Sequence, residues 1–285
     1  MGTLYLISTP IGNLEDLTVR ASRILGEVDL VLAEDTRRTL ILLNHLGLRV
    51  PLESLHEHNE AARIPSVLER LRGGRALALV SDAGTPLVSD PGERLVSRVL
   101  DDGHRVVPIP GPSAVLAALV ASGLPSIPFA FLGFVPRKGR ERREMLERIR
   151  TAPETTVVFE SPERCLDLLE ALEPEWPEDR EVAVARELTK VHEEVRRGTP
   201  STLARYYRET PPRGEVTVVV APARSSGDGG EADAQAVRAL ARALLDQGRS
   251  PSRAAREVAE RLRVPRNQAY SLVQEVAADP ESDGS

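Results

Sequence analysis

The sequence predicts an α/β protein: two α/β domains, the first on a mostly parallel sheet and the second on a mixed one, with a small C-terminal helical appendage. Three observations predict this. Short apolar runs rich in Leu, Val and Ala alternate with amphipathic stretches of helical period. Polar loops bearing Gly and Pro follow several of these runs, as in open sheets that bind ligands at the carboxyl ends of strands. In the second half, five strand candidates are separated by only three helical patterns, so some neighbours pair antiparallel.

In order, residues 3–8 read as a strand ending in Thr9-Pro10-Ile11-Gly12-Asn13, and a helical pattern carries Ala21, Ile24 and Leu25. Residues 30–33 read as a buried strand leaving through Glu34-Asp35-Thr36-Arg37-Arg38, before a helix over 40–46 that Gly47 stops. Residues 52–55 lead into His56-Glu57-His58-Asn59-Glu60, and the next helix carries Val67, Leu68 and Leu71. Strand 76–80 opens on Ser81-Asp82-Ala83-Gly84-Thr85-Pro86-Leu87-Val88-Ser89-Asp90-Pro91-Gly92, before a helix with Leu95, Val96, Val99 and Leu100. In that loop Asp82 and Asp90 can accept hydrogen bonds from a ligand's hydroxyls or amino group, while Asp90 also reads as the helix cap and Pro91 as its first residue. Strand 105–109 exits through Pro110-Gly111-Pro112-Ser113, where we place a domain boundary, giving domains 1–113 and 114–222. Strand candidates of the second are 129–132, 155–159, 181–185, 193–198 and 215–221. Residues 223–232 read as a flexible linker. The tail, 233–285, reads as three short helices of helix-turn-helix type, over 234–245, 250–262 and 267–276, with six arginines against two glutamates between Arg249 and Arg266.

Composition narrows the function. With 285 residues, 41% hydrophobic and 28% charged, the chain suits two domains plus an appendage. The longest apolar run, 114–121, is too short for a membrane span, and no signal-type segment is visible, so a cytoplasmic protein is expected. The single Cys165 excludes an internal disulfide or a cysteine-based zinc cluster. A net charge of −6 argues against non-specific coating of nucleic acid, so an RNA partner needs local basic patches. Arg137-Lys138-Gly139-Arg140, continuing into Arg142 and Arg143, is such a patch, and cations at a helix start oppose the dipole. His56 and His58 have no third ligand at metal spacing, so no metal is expected. Neither a dinucleotide fingerprint nor a phosphate-cradling loop with lysine is present. The crowding of Ser81, Asp82 and Thr85 beside flexible Gly84 fits a small ligand bearing hydroxyls and an amine.

Asp82-Ala83-Gly84-Thr85-Pro86-Leu87-Val88-Ser89-Asp90-Pro91-Gly92 resembles the signature of the small-subunit ribosomal RNA methyltransferase I family, a branch of the tetrapyrrole methylase superfamily. So do Thr9-Pro10-Ile11-Gly12-Asn13-Leu14, Ala33-Glu34-Asp35-Thr36-Arg37, His56-Glu57-His58-Asn59-Glu60, Pro110-Gly111-Pro112-Ser113-Ala114, Gly133-Phe134-Val135-Pro136, Phe159-Glu160-Ser161-Pro162 and Ala185-Arg186-Glu187-Leu188-Thr189-Lys190, in order over the first 220 residues or so. The resemblance implies S-adenosylmethionine in the cleft between the two domains, lined by Pro10, Ser81, Asp82, Ala83, Gly84, Thr85, Ser113, Ala114, Phe159, Ala185 and Leu188. It implies methylation of a cytidine ribose 2′-hydroxyl in the decoding region of 16S ribosomal RNA, with Glu34, Asp35, Arg186, Glu187 and Lys190 as catalytic candidates. Lys190 is either a base of lowered pKa or a charge stabiliser. Arg37, His58, Asn59, Arg137, Lys138 and Arg140 are the RNA-binding candidates, and the family habit is a homodimer in contact with the small ribosomal subunit, with neither DNA nor membrane. The alternatives are a tetrapyrrole C-methyltransferase of the same superfamily and a non-catalytic ribosome-assembly factor. The scarcity of stacking aromatics in the basic segments counts against the second.

Overall fold

Five apolar runs of the first half form strands β1 (Thr3–Ile7), β2 (Leu30–Ala33), β3 (Leu52–Ser54), β4 (Ala76–Val80) and β5 (Arg105–Ile109). They make one wholly parallel sheet in the order β3-β2-β4-β1-β5. A computed structural model describes residues 1–174, 176–177, 180–223, 231–262, 264 and 266–278. Alternation along the strands divides the core. Ile7, Val31, Ala33, Ala78, Val80 and Ile109 pack under helices α1 (Val19–Glu27) and α2 (Thr36–His45). Leu4, Leu30, Leu32, Leu77 and Leu79 face α3 (Glu60–Arg72) and α4 (Glu93–Asp101) on the other side. The connections from β1 and β2 therefore cover one face and those from β3 and β4 the other. The carboxyl end of β4, between β2 and β1, is a topological switch point.

Two helix starts differ from the sequence expectation. Helix α2 begins at Thr36 rather than at residue 40, because the Asp35 side chain accepts the Arg37 amide and so caps a turn whose Thr and Arg residues read as loop. Asp90 does not cap α4. Gly92, at φ +124°, takes the cap position without a side-chain bond, and the buried Glu60 carboxylate accepts the Leu95 amide at 2.9 Å instead.

Helix α5 (Ala114–Ala121) leads into the second sheet: β6 (Phe129–Phe134), β7 (Thr155–Glu160), β8 (Val182–Arg186), β9 (Glu194–Gly198) and β10 (Val216–Val220). The order is β6-β7-β10-β8-β9, with β6 and β7 parallel and the other pairs antiparallel, the mixture expected from too few connecting helices. Helices α6 (Gly139–Thr151), α7 (Pro162–Leu172) and α8 (Pro200–Glu209) cover one face through Leu146, Ile149, Cys165, Leu169 and Tyr207. Val115, Ala118 and Leu119 of α5 cover the other. That packing accounts for Val115, Ala118 and Leu119, while Leu116 and Val120 of the same helix stay exposed.

Both sheets lie in one compact unit, Met1–Pro222, and the tail forms another, Ala223–Ser285. In the tail, α9 (Glu231–Asp246), α10 (Pro251–Leu262) and α11 (Arg266–Ala278) pack on Val237, Ala241, Ala254, Val258 and Val273. Most of the expected linker lies outside the described residues, and its last two positions, Glu231 and Ala232, belong to α9. Arg249 and Arg261 both pair with Glu257, and Arg256 with Glu260, so part of the tail's expected phosphate-binding charge is spent within its own helices.

Glu60→Ala leaves the Leu95 amide without its acceptor. Urea unfolding should show a loss of about 1–3 kcal/mol with an unchanged m-value; an unmoved midpoint would mean that Glu60 does not hold the start of α4.

Candidate active site

The ladder registers bring the strand ends level. Ile7 lies beside Val80 and Ile109, and Ala33 beside Val80, so the loops after β1, β2, β4 and β5 leave the sheet together. Hydrogen bonds then tie loop to loop. Thr9 and Gly84 form a two-bond antiparallel bridge of 2.8 and 3.0 Å, and Thr9 Oγ1 donates to the Ser81 carbonyl at 3.1 Å. The Ser8 and Thr85 hydroxyls lie 3.1 Å apart, and Thr85 Oγ1 donates to the Pro112 carbonyl. The Asp35 amide donates to Asp82 Oδ1 at 2.9 Å, bringing in the β2 loop. A Cβ at Gly111 would stand 2.9 Å from that of Ser8, closer than side chains pack, so this crossing needs glycine.

The second sheet closes on the same place. Ile11 and Ala83 from the first-sheet loops share one apolar cluster with Ala114, Phe159, Ala185 and Leu188. Gly12 lies against Leu188, Thr189 and Lys190, where a Cβ would come within 2.4 Å of the Lys190 stem. Gly133, at a bulge in β6, faces Ser89. The eleven cofactor candidates thus belong to one neighbourhood. Among the described residues, the non-glycine positions with positive φ are Leu87, Ser89, Glu187 and Thr189, all in the two loops that meet there. Such strain concentrates at functional sites.

Charge is unevenly spread in this cleft. Burial, then the charge of Asp82, raises the Glu34 carboxyl. Burial pushes Asp90 up to about 6, and Glu34 and Asp82 add to it. Arg38 approaches Asp82 at 3.6 Å. Asp35 is different: bonds from the Arg37 side chain and amide hold it at about 2, which makes it a cap rather than a base. Arg186 is engaged by Glu194 at 2.7 Å. Lys190 Nζ donates to Glu187 at 2.8 Å and to Glu215 at 3.1 Å. Burial alone lowers the Lys190 ammonium, but these carboxylates reverse that and raise it, so of the two readings the sequence leaves open the direction goes against the lowered-pKa base.

Residues 3–204 match the family model of Tetrapyrrole (Corrin/Porphyrin) Methylases. The chain is 43% identical over 279 residues to Ribosomal RNA small subunit methyltransferase I of Synechocystis sp., covering 98% of this chain and 100% of that one. It is 50% identical over 226 residues to the protein of the same name from Mesorhizobium japonicum, covering 79% and 77%. The chain belongs to the ribosomal RNA small subunit methyltransferase I family. Solved structures similar to it include diphthine synthase, with a TM-score of 0.62 at 16% identity over 77% of this chain and 90% of that one. Another is uroporphyrin-III-C-methyltransferase from Thermus thermophilus, with a TM-score of 0.54 at 23% identity over 77% and 94%. At these identities the likeness speaks for the shared fold.

The family's motif blocks differ in what they do here. Asn59 is architectural: its side chain accepts the His56 amide and donates to the Ser54 carbonyl. His58 is exposed, its ring edge-on to His56 at 6.0 Å. Arg37 is exposed but held by Asp35, and Arg140 by Glu144 at 2.6 Å. Arg137 and Lys138 are exposed and make no ion pair among the described residues. Arg142, expected to extend that patch, is instead turned inward: it donates to the Pro136 carbonyl and lies 4.0 Å from buried Glu160. Arg164 donates to the Val135 carbonyl and pairs with the same Glu160. The sequence reading missed the pairing role of Glu160 and left Asp90 open between a ligand acceptor and a helix cap. A carboxylate ending an apolar run, with arginine four residues on, was the signal for the first. For the second, Gly92 takes the cap position and so removes the capping reading.

Asp90 carries a pH signature. Its folded pKa of about 6 exceeds the ordinary aspartate value of 3.8, so the unfolded chain ionises first and stability falls as pH rises from about 4 to 6. Asp90→Asn should therefore stabilise the protein above pH 6, by at most about 3 kcal/mol, and the gain should vanish below pH 4. Thermal midpoints across that range check it; a gain that persists at low pH contradicts the assignment.

Proposed function

We propose that the protein uses S-adenosylmethionine to methylate the ribose 2′-hydroxyl of a cytidine in the decoding region of 16S ribosomal RNA. The carrying observation is the convergence of the β1, β2, β4 and β5 loops with Phe159, Ala185 and Leu188 around one partly acidic, partly apolar cleft. The chemistry of this lining fits the donor. The clustered carboxylates Glu34, Asp82 and Asp90 suit a ligand with a sulfonium and an ammonium, and Ala83, Ala114 and Phe159 offer an apolar wall. Pro10, Ser81, Asp82, Ala83, Gly84, Thr85, Ser113, Ala114, Phe159, Ala185 and Leu188 would hold it. When bound, S-adenosylmethionine supplies a methyl group on a positively charged sulfur with its leaving group built in.

The chain's own part is alignment, exclusion of water and the handling of one proton. Glu34, with its raised carboxyl and no arginine bound tightly to it among the described residues, is the group to accept the ribose proton. Lys190 stays protonated and supplies positive charge beside the cleft, where an oxyanion would develop. Arg186 and Glu187 brace that loop, Arg186 through Glu194 and Glu187 through Lys190. Arg137 and Lys138, at the tip of a loop fixed from beneath by Arg142, Arg164 and Glu160, are the phosphate contacts. The same reading takes a homodimer in the cytoplasm, with domains meeting at Ser113. On α5, Leu116 and Val120 sit one turn apart and exposed, an apolar surface available to a second copy. Among the described residues no helix is long and apolar enough to cross a membrane.

Incubation with methyl-labelled S-adenosylmethionine and either unmodified small subunits or a tetrapyrrole precursor tests the reading. Label should appear in alkali-resistant dinucleotides of the RNA; label only in the porphyrinoid would transfer the protein to the other branch of its superfamily. Asp82→Ala should abolish cofactor binding by calorimetry in a folded variant. Reversing charge at Arg137 and Lys138 should weaken RNA binding and flatten its salt dependence while cofactor affinity holds.

A further inference from the structure

A second surface lies outside the cleft. Between α3 and α4 runs a groove of about 630 Å³ whose two walls differ in chemistry. Ala61, Ile64 and Pro65 form one wall, and Arg94, Ser97 and Arg98 the other, with Glu93 as the one acidic side chain on it. Pro65 lies within α3, where it brings no amide to the helix ladder and adds its ring to the apolar wall. Arg94 and Arg98 are exposed one turn apart and make no ion pair among the described residues. The neighbouring arginines do: Arg63 and Arg70 pair with Glu53, and Arg72 with Asp102. The position also matters. Both helices start at the carboxyl edge of the first sheet, α3 just after His58 and α4 just after the Asp82 to Gly92 loop, and the Glu60 to Leu95 bond holds the two starts together. The groove therefore opens at the rim of the active site.

We propose that this groove carries the sugar-phosphate backbone of the RNA substrate as it leaves the cleft. Arg94 and Arg98 bind its phosphates, and Ala61, Ile64 and Pro65 pack against its sugars. Two unpaired guanidiniums at helical spacing match the charge of successive phosphates. The inference rests on the RNA-substrate reading above.

Two measurements on the full-length protein test it. In the first, Arg94→Glu with Arg98→Glu is compared with Arg49→Glu plus Arg105→Glu, an equal charge change at exposed sites flanking the amino ends of β3 and β5. Unmodified small subunits should bind the groove variant roughly tenfold more weakly and with a shallower salt dependence, with cofactor affinity unchanged, whereas the control pair should shift affinity less than about twofold, its charges lying beyond screening range. Equal effects from the two pairs would overturn the proposal. In the second, Ser97→Cys is labelled with a photocrosslinker; the native Cys165 is buried, with its thiol pushed up to about 12, and does not compete. Irradiation with subunits should crosslink ribosomal RNA. A crosslink to ribosomal protein alone, or none, would assign the groove elsewhere. Wild-type protein that methylates subunits while both tests fail leaves the enzyme reading intact; wild-type protein that methylates none removes that reading first.

Discussion

The cleft depends on a backbone contact beyond the end of the parallel ladder: the reciprocal pair of hydrogen bonds between Thr9 and Gly84. A parallel sheet delivers four strand ends to one edge, but ladder bonds stop at Ile7 and Val80, and loops beyond them would diverge. The bridge carries pairing past the sheet, with the chain reversed, because Gly84 adopts φ +82°. With this pair fixed, Ser8, Thr85 and Pro112 fall into hydrogen-bonding reach, and Ile11 and Ala83 are aimed at the second sheet. The cleft is built first from main chain and only then from side chains.

The neighbourhood is held against local preference. Four non-glycine residues accept a left-handed backbone there, a conformation costing on the order of 1 kcal/mol or more each, and Glu34 and Asp90 are carboxylates raised by burial and mutual repulsion. What compensates is the dense support outside it: the Lys190 bonds to Glu187 and Glu215, the Asp35 cap, and the Arg164 and Arg142 bonds to the Val135 and Pro136 carbonyls, with Glu160 between the two arginines. Rigidity at the edge lets the centre keep the raised carboxyls of Glu34 and Asp90 close together.

Much of this was legible because strands buried on both faces are written as uninterrupted apolar runs, as in 30–33 and 76–80, and their exits are punctuated by Gly and Pro. The mixed pairing of the second sheet followed from counting helices. What stayed hidden were side chains whose meaning is set by partners distant in sequence. Asp90 looked like a cap because it precedes a proline, whereas the real acceptor, Glu60, lies some thirty residues upstream. Arg142 looked like one more cation in a basic run, and only the fold turns it toward Glu160. Lys190 could be assigned either protonation state until Glu187 and Glu215 were seen beside it.

The sheet order has a further consequence, for biosynthesis. In the first sheet the last strand made, β5, is an edge strand, so the other four can associate before it emerges. In the second, the last strand, β10, is the central one, and β7 and β8 have no shared partner until residue 220 has left the exit tunnel. At roughly 5–20 residues per second, the nascent chain spends several seconds with half of its architecture closed and the other half waiting for its keystone. During that interval the hydrogen-bonding edges of β7 and β8 that β10 will join are open to solvent and to chaperones.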